Sequence, residues 1–163
     1  MSYLNTIKSK IYSIEGLKAQ IDSWKESGEK VVFTNGCFDI VHRGHIEMLA
    51  RTADLGNRLI IGLNSDQSIQ ALKGENRPIE NEDSRAILLA SLSFVDAVVL
   101  FSEATPLNLI NTLKPDILAK GGDYEIETIV GHKIVQNNGG QVILVPFIDG
   151  FSSTAIIDKI KNT

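Results

Sequence analysis

Five short segments rich in Val, Ile and Leu recur along the chain, and each leads through a polar turn into a stretch with apolar residues at helical spacing. This alternation predicts an α/β fold in which parallel strands are joined by crossover helices. Right-handed crossovers place helices on both faces of the sheet. We therefore expect a Rossmann-like, open doubly wound sheet of five parallel strands in the order 3-2-1-4-5. The predicted strands comprise residues 31–34, 58–63, 97–101, 116–120 and 141–146.

The chain length of 163 residues fits one domain with a sizeable core. We divide it into an N-terminal arm and helix (residues 1–28) and an α/β core (residues 29–163). Residues 1–12 are polar with scattered apolar positions and indicate a loose arm or short turn. The predicted helices comprise residues 13–27, 44–55, 65–72, 82–91, 105–113, 125–137 and 155–161.

Charge and cysteine content narrow the class of protein. A net charge of −4 gives no general basic surface for nucleic acid, so any anion site must be local. The single cysteine excludes an internal disulfide and fits a reducing compartment. Apolar runs are too short to span a membrane. We expect a cytoplasmic protein that binds neither nucleic acid nor membrane. G-x-x-x-x-G-K-[ST] and G-x-G-x-x-G are both absent, which argues against a P-loop kinase and a dinucleotide oxidoreductase.

The first predicted strand leads into V-V-F-T-N-G-C-F-D-I-V-H-R-G-H (residues 31–45). Asn35 and Gly36 break the strand, and apolar residues at helical spacing begin after Arg43. The loop therefore delivers the chain to a helix N-terminus. Unpaired N–H groups and the positive end of the helix dipole favour a phosphate there.

Two histidines at this helix start can contribute further hydrogen-bond donors. His42 and His45 are three residues apart, so both rings can lie on one side of the helix, and Gly44 between them leaves room for a ligand. Such donors suit a phosphate that gains charge during reaction. The alternatives are a simple cap or surface role, and a metal site that includes Cys37 and Asp39. These residues lack a usual structural-zinc spacing, so we expect no protein-bound metal.

The H-R-G-H at residues 42–45 resembles the H-x-G-H signature of the cytidylyltransferase-like nucleotidyltransferase superfamily. The T-N-G-C-F-D before it resembles the D-glycero-β-D-manno-heptose 1-phosphate adenylyltransferase branch. The resemblance covers nearly the whole chain and implies that the histidines stabilise charge on the α- and β-phosphates. The residues it assigns to the nucleotide are Thr34, Asn35, Gly36, Cys37, Phe38 and Gly44, with Asp39 as a candidate substrate contact.

Polar residues also follow the second predicted strand. Asn64 and Asp66 are candidate substrate contacts, with helix capping as the alternative. The L-K-G-E-N-R-P run at residues 72–78 resembles the same family, which implies that Lys73 holds the leaving pyrophosphate. Arg77 in that run is a candidate substrate contact or a plain surface residue.

Arg85 lies in an E-D-S-R stretch that is similar to a family position near the active site or a dimer contact. We list it as a candidate substrate contact. Its alternative is a surface pair with Glu82 at helical spacing.

The fourth predicted strand ends in K-G-G-D-Y, residues 120–124, which resembles the nucleotide pocket of the family. Gly121 and Gly122 would let a base or ribose lie against bare backbone, with Asp123 beside it. The alternative is a simple turn. Lys120 is a candidate substrate contact.

Ser152, Ser153 and Thr154 place three hydroxyls at another helix start, which predicts a second phosphate site; capping alone would need one of them. They resemble the S-[ST]-T element of the superfamily. Glycerol-phosphate cytidylyltransferases carry R-T-x-G-I-S-T-T there, and Phe147 stands in place of its arginine. This departure argues against the glycerol-phosphate branch.

Every one of these motifs falls at the carboxyl end of a predicted strand, where open doubly wound sheets bind ligands. We expect AMP transfer from ATP to a sugar 1-phosphate, and the resemblance implies ADP-heptose formation for lipopolysaccharide or another surface glycan. Mg²⁺ would ride on the nucleotide phosphates. The family suggests a homodimer and a separate heptose kinase. Alternatives are a cytidylyltransferase, another small-phosphate nucleotidyltransferase, and a nucleotide sensor without turnover.

Overall fold

A fully parallel sheet of six strands in the order β1-β4-β3-β2-β5-β6 forms the centre of the molecule. The computed structural model describes residues 2–122 and 124–163. The strands are β1 Ile11–Tyr12, β2 Val31–Gly36, β3 Arg58–Asn64, β4 Ala97–Phe101, β5 Ile117–Gly121 and β6 Gln141–Val145. The helices are α1 Tyr3–Lys8, α2 Ile14–Glu26, α3 Arg43–Ala53, α4 Asp66–Lys73, α5 Glu82–Ala90, α6 Leu107–Leu113, α7 His132–Asn137 and α8 Ser153–Lys161.

The α/β class with a parallel sheet is confirmed, but the prediction of five strands in the order 3-2-1-4-5 is wrong. The structure adds β1 at the sheet edge, where it pairs with β4. Residues 3–12, expected to be a loose arm, form α1 and β1 instead. Two residues are too few to show a period of two, and β1 owes its strand geometry to pairing with distant residues, such as the Val98 N–H that donates to the Lys10 carbonyl at 2.8 Å. The five predicted strands occupy the positions β4-β3-β2-β5-β6.

Side chains alternate across the sheet and form one core on each face. Phe33 and Leu118 pack into the core under α2, α6 and α7, whereas Val32 and Ala119 pack into the core under α3 and α5. Helices thus cover both faces. Because β2 is central, the loop that follows it lies between the loops of β3 and β5 at the carboxyl edge of the sheet.

Helix boundaries follow local capping. Ser65 and Asn81 accept N–H hydrogen bonds at the starts of α4 and α5, as their residue types predict. The predicted helix over residues 125–137 is wrong in its first half, because Gly131 adopts a φ of +88° and separates a 3₁₀ turn, Ile126–Thr128, from α7. Among the described residues, every helix is too short or too polar to cross a membrane.

Candidate functional site

The loop after β2 brings two histidine rings together at the start of α3. His42 occupies the N-cap position but makes no capping hydrogen bond through its side chain, so the capping alternative is wrong. The His42 and His45 rings stack with centroids 3.8 Å apart and an angle of 18° between their planes. Their Nδ1 atoms are buried and have no hydrogen-bond partner among residues 2–122 and 124–163. Buried polar atoms without partners are rare in folded proteins, so this pair is suited to receive a polar ligand.

The surroundings keep both imidazoles neutral. Burial, and to a smaller extent the His42 ring, lower the pKa of His45 to about 4, against the opposing effect of the Ile40 carbonyl. Burial likewise lowers the pKa of His42. A neutral imidazole still carries one N–H donor, so each ring can donate to a phosphate oxygen at neutral pH. A bound anion would favour the charged form and raise both pKa values.

Lys73 lies at the C-terminal end of α4, and its charge contributes to lowering the pKa of His45. The ammonium group is therefore within electrostatic range of His45, although Lys73 follows His45 by 28 positions in sequence. Lys73 is exposed and forms no ion pair with the residues that the structure describes. Its charge is consequently available to an anion in front of the rings.

The turn at residues 152–154 lies directly against the histidine loop. The Ser153 hydroxyl donates to the Ile40 carbonyl at 3.0 Å. The Phe151 ring stacks on His42 with centroids 6.2 Å apart, and a Cβ on Gly44 would lie 2.8 Å from the Phe151 Cβ. Such a distance is prohibitive, so only glycine permits this close packing at position 44. The beginnings of α3 and α8 therefore lie side by side, and we refer to the surface that they share as the cleft.

Hydroxyl groups in this turn have different roles. Ser152 caps α8 by accepting a hydrogen bond from the Ala155 N–H at 3.0 Å, while Ser153 fixes the turn to the histidine loop. Thr154 is exposed. Capping thus accounts for only one of the three hydroxyls that the sequence places here.

Arg85 is buried and joins the loops that follow β2 and β3. One guanidinium nitrogen donates to the carbonyls of Cys37 and Asn64, both at 2.8 Å, and another donates to the Asp66 carboxylate at 2.7 Å. The alternative of a surface pair with Glu82 is wrong, since Arg85 is 2% exposed and Glu82 instead accepts the Asp66 N–H. With its donors occupied, Arg85 is placed to position the loops and not to contact a substrate.

Asp39 and Arg77 form a second buried contact across the same edge. Arg77 donates to the Asp39 carboxylate at 2.6 Å, and the N–H groups of Ile79 and Glu80 donate to its other oxygen at 2.8 and 3.0 Å. Burial acts to raise the pKa of Asp39, but the Glu80 N–H, Arg77 and Ile79 N–H together hold it below its usual value. Both candidate substrate contacts are thus engaged with each other, and they fasten the loop after Lys73 to the histidine loop.

Several residues that were predicted to bind the nucleotide pack behind the two histidine rings. Thr34 is buried, and Phe38 meets His45 edge to face with centroids 5.2 Å apart. A Cβ on Gly36 would lie 2.9 Å from the Phe38 ring, which explains the glycine. These side chains pack behind the histidine loop and hold it in place.

Asn35 and Lys120 follow Phe33 and Leu118 by two positions on their strands, so they lie on the face of the sheet opposite α3. The Lys120 ammonium is 3.5 Å from the Asn35 amide oxygen, and burial lowers the pKa of Lys120. Both residues line a cavity of about 160 Å³ with Tyr124. The structure therefore separates this lysine from the histidine side of the sheet edge.

The backbone at Gly121 and Gly122 is covered by an aromatic ring, and a nucleotide contact at these glycines stays a prediction. Both glycines are buried, and the Phe147 ring packs against them. Asp123 lies outside the described residues. This contact cannot be predicted from local patterns, because Phe147 follows β6 whereas the two glycines end β5. Phe151 was likewise missed, although its place beside three hydroxyl residues could have indicated a role.

Residues 2–122 and 124–163 contain no cluster of three or more His, Cys, Asp or Glu side chains that could hold a metal ion. The two imidazoles and the nearby ammonium are instead neutral or cationic donors. This donor set suits phosphate oxygens, and a divalent cation would have to be held mainly by those oxygens.

Comparison with known proteins identifies relatives of this arrangement. Residues 33–159 match the family model described as cytidylyltransferase-like. The chain is 52% identical over 152 residues to the bifunctional protein HldE of Geobacter metallireducens, covering 93% of this chain and 31% of the relative. It is 51% identical to the bifunctional protein HldE of Citrifermentans bemidjiense, covering 95% of this chain and 32% of that relative. The chain thus spans about a third of the length of these curated relatives.

A solved structure shares the architecture. The lipopolysaccharide core biosynthesis protein from Thermoplasma volcanium aligns with a TM-score of 0.58 and 28% identity, covering 74% of this chain and 98% of that one. The family match includes most of β2, the histidine pair, the diglycine and the start of α8. The predicted resemblance is therefore confirmed, and this chain belongs to the cytidylyltransferase-like family of nucleotidyltransferases.

Proposed function

We propose that the chain is an adenylyltransferase that transfers AMP from ATP to a sugar 1-phosphate, releasing pyrophosphate. One observation carries the proposal. The Ser153–Ile40 hydrogen bond places the start of α8 against two stacked histidines whose buried ring nitrogens lack partners among the described residues. Two helix starts, two imidazoles and the Lys73 charge together make a site for a chain of phosphates.

The reaction in this site is an in-line displacement. An oxygen of the acceptor phosphate attacks the α-phosphorus of ATP, a new P–O bond forms, and the bond to the pyrophosphate oxygen breaks. A phosphate monoester is largely a dianion at neutral pH, so the attacking oxygen needs no general base. Catalysis then rests on positioning and on stabilising charge.

Each group in the cleft has a proposed task in that displacement. The neutral rings of His42 and His45 donate to α- and β-phosphate oxygens as these gain charge. Lys73 holds the departing pyrophosphate. The turn of Ser152, Ser153 and Thr154 binds the β- and γ-phosphates at the start of α8. Gly121, Gly122 and Asp123 are assigned to binding the adenosine.

We propose that Mg²⁺ enters the site bound to the nucleotide. Bound to the phosphates, it would neutralise charge on the leaving pyrophosphate. The residues that would face its phosphate ligands are Lys73 and the α8 turn.

The acceptor we propose is D-glycero-D-manno-heptose 1-phosphate, with ADP-heptose as product for lipopolysaccharide or another surface glycan. Identity near 50% to proteins named HldE supports it, as does the likeness to a lipopolysaccharide core biosynthesis protein. Those relatives are named bifunctional, and the first of them is matched over 31% of its length. We propose that a heptose kinase activity supplies the phosphorylated sugar. We further propose action in the cytoplasm, where ATP is available, and as a homodimer.

Pyrophosphate release tests the function. Wild-type protein is incubated with Mg²⁺ and either ATP or CTP, with and without each anomer of heptose 1-phosphate, and with glycerol phosphate as a second acceptor. We expect release with ATP and one heptose anomer alone. The family description favours a cytidylyltransferase as the second candidate, and release with CTP in place of ATP would establish it. ATP binding without pyrophosphate from any acceptor would indicate a nucleotide sensor.

A further inference from the structure

Phe147 occupies an unusual position beside the proposed nucleotide site. It follows β6 by two residues and leaves 58% of its side chain exposed, although its ring contacts the backbone at the end of β5. Exposed phenylalanines are common singly on protein surfaces. This one differs because the backbone beneath it contains two consecutive glycines that make room for the ring.

The two glycines form a seat for the ring. A Cβ on Gly122 would lie 2.6 Å from the Phe147 ring, and a Cβ on Gly121 would lie 3.0 Å from it. Gly122 also has a φ of +108°, which side-chain-bearing residues rarely adopt. Any other residue at position 122 would therefore displace the ring. One side of the ring is fixed against this backbone, and the remainder faces solvent.

The same loop connects this ring to the phosphate side of the cleft. Phe147 precedes Ser152 by five residues, so the two lie within about 18 Å even if the loop is fully extended. Phe151, near the end of the loop, stacks on His42. A nucleoside triphosphate whose phosphates reach the α8 turn can extend along this loop towards the Phe147 ring.

We propose that the open face of Phe147 stacks on the base of the nucleotide and that this contact favours a purine over a pyrimidine. The inference rests on the proposed function and adds a specificity-determining residue to it. Every base has a π-face, but a purine overlaps a phenyl ring over a larger area. The glycines then act indirectly, by holding the ring that touches the base. Tyr124 approaches the same glycine, its ring lying 3.3 Å from the Gly122 Cβ position.

Replacement of the ring by a non-planar side chain tests the proposal. Phe147→Leu keeps an apolar group over the glycines and removes the π-face. The Kd of ATP with Mg²⁺, measured by calorimetry, should rise about tenfold to a hundredfold, as for loss of one base–aromatic stack. The Kd of inorganic tripolyphosphate, which has no base, should not change. The ratio of kcat/KM for ATP over CTP should fall towards one.

A fluorescent variant gives an independent signal. Phe147→Trp adds an indole at the proposed stacking position, while the native Trp24 is buried in the core on the other face of the sheet. ATP should quench the added fluorescence and tripolyphosphate should not. Wild-type protein supplies the background from Trp24.

Tyr3→Leu is the matched control, because it removes a 92% exposed ring from α1, which precedes the strand at the opposite edge of the sheet. Its ATP affinity should equal that of wild type. An unchanged ATP affinity in Phe147→Leu, or an equal weakening of ATP and tripolyphosphate, would overturn base stacking. Base-dependent weakening in a protein that releases no pyrophosphate would uphold the stacking inference and refute the transferase.

Discussion

Two groups of polar side chains lie at the carboxyl edge of the sheet, Arg85 with Asp39 and His42 with His45. They differ in whether protein groups satisfy their hydrogen bonds. Arg85 and Asp39 are buried, and protein groups form hydrogen bonds with all three guanidinium nitrogens of Arg85 and both carboxylate oxygens of Asp39. His42 and His45 are also sheltered, yet their Nδ1 atoms have no partner among the described residues. The first group is suited to holding structure and the second to holding a ligand, so satisfaction of hydrogen bonds, more than burial, separates the two roles.

The largest effect on stability is expected at Arg85. Arg85→Met should lower the free energy of unfolding by about 3–5 kcal/mol, because it leaves the Asp66 carboxylate and three carbonyls without their donor. Urea denaturation followed by circular dichroism measures the change. Arg51→Met, at an exposed position of α3, should cost less than about 0.5 kcal/mol. Equal losses of unfolding free energy in the two variants would show that the buried hydrogen bonds of Arg85 do not hold the loops.

The largest effect on turnover is expected at the histidine pair. His45→Ala should lower kcat by about a hundredfold to a thousandfold, the usual result of removing one donor to a developing oxyanion. Its melting temperature should stay near that of wild type. His132→Ala is the control, since the His132 Nδ1 is already 2.8 Å from the Ile129 carbonyl, and its kcat should be unaltered. A melting temperature that falls along with kcat would instead make His45 a packing residue.

A smaller loss is expected at Lys73. Lys73→Ala removes a charge that would bind the pyrophosphate, so the inhibition constant of pyrophosphate should rise about tenfold, as for loss of one charge-assisted hydrogen bond. The dependence of that constant on salt should also weaken. Lys133→Ala removes another exposed lysine, on α7, and should leave both quantities as they are. A similar rise of the inhibition constant in the two variants would mean that Lys73 acts only through the net charge of the protein and does not contact pyrophosphate.

The smallest expected effect concerns pH. The folded state lowers the pKa of His45 from 6.5 to about 4, so the unfolded chain binds more protons between these values. Stability should therefore be fully present above pH 6.5 and fall by about 1 kcal/mol as the pH drops to 4, the ring being partly exposed and screened. Asp39, whose pKa is also lowered, acts in the same direction below pH 4.

His45→Ala should flatten the stability curve between pH 6.5 and 4, whereas His132→Ala should not. Saturating tripolyphosphate should flatten the wild-type curve as well, because a bound anion raises the pKa of the ring. A curve that keeps its slope in His45→Ala would assign the pH dependence to other groups.

Local patterns predicted much of the fold. Residues 97–101 form a strand as predicted, because a buried parallel strand is a continuous apolar run bounded by turns. The edge strand Ile11–Tyr12 escaped prediction, since its geometry depends on pairing with β4 and its two residues show no periodicity.

In the candidate site, too, local features are predictable from the sequence and long-range contacts are not. The spacing of His42 and His45 is a local feature, and the turn from the N-cap into the first turn of α3 brings their rings together. The pairing of Asp39 with Arg77 joins residues 38 positions apart, and the seating of Phe147 joins two strands. Such contacts depend on tertiary structure, so Asp39 and Arg77, which were predicted from sequence to contact a ligand, are bonded to each other instead.

Nitrogen NMR of the three histidine side chains tests the central claim most directly. Addition of ATP with Mg²⁺ should shift the ring nitrogens of His42 and His45 and raise the pKa of His45 from about 4, while the signals of His132 stay in place. Unchanged signals from the pair at saturating ATP, or equal shifts in all three rings, would contradict a phosphate site at the start of α3.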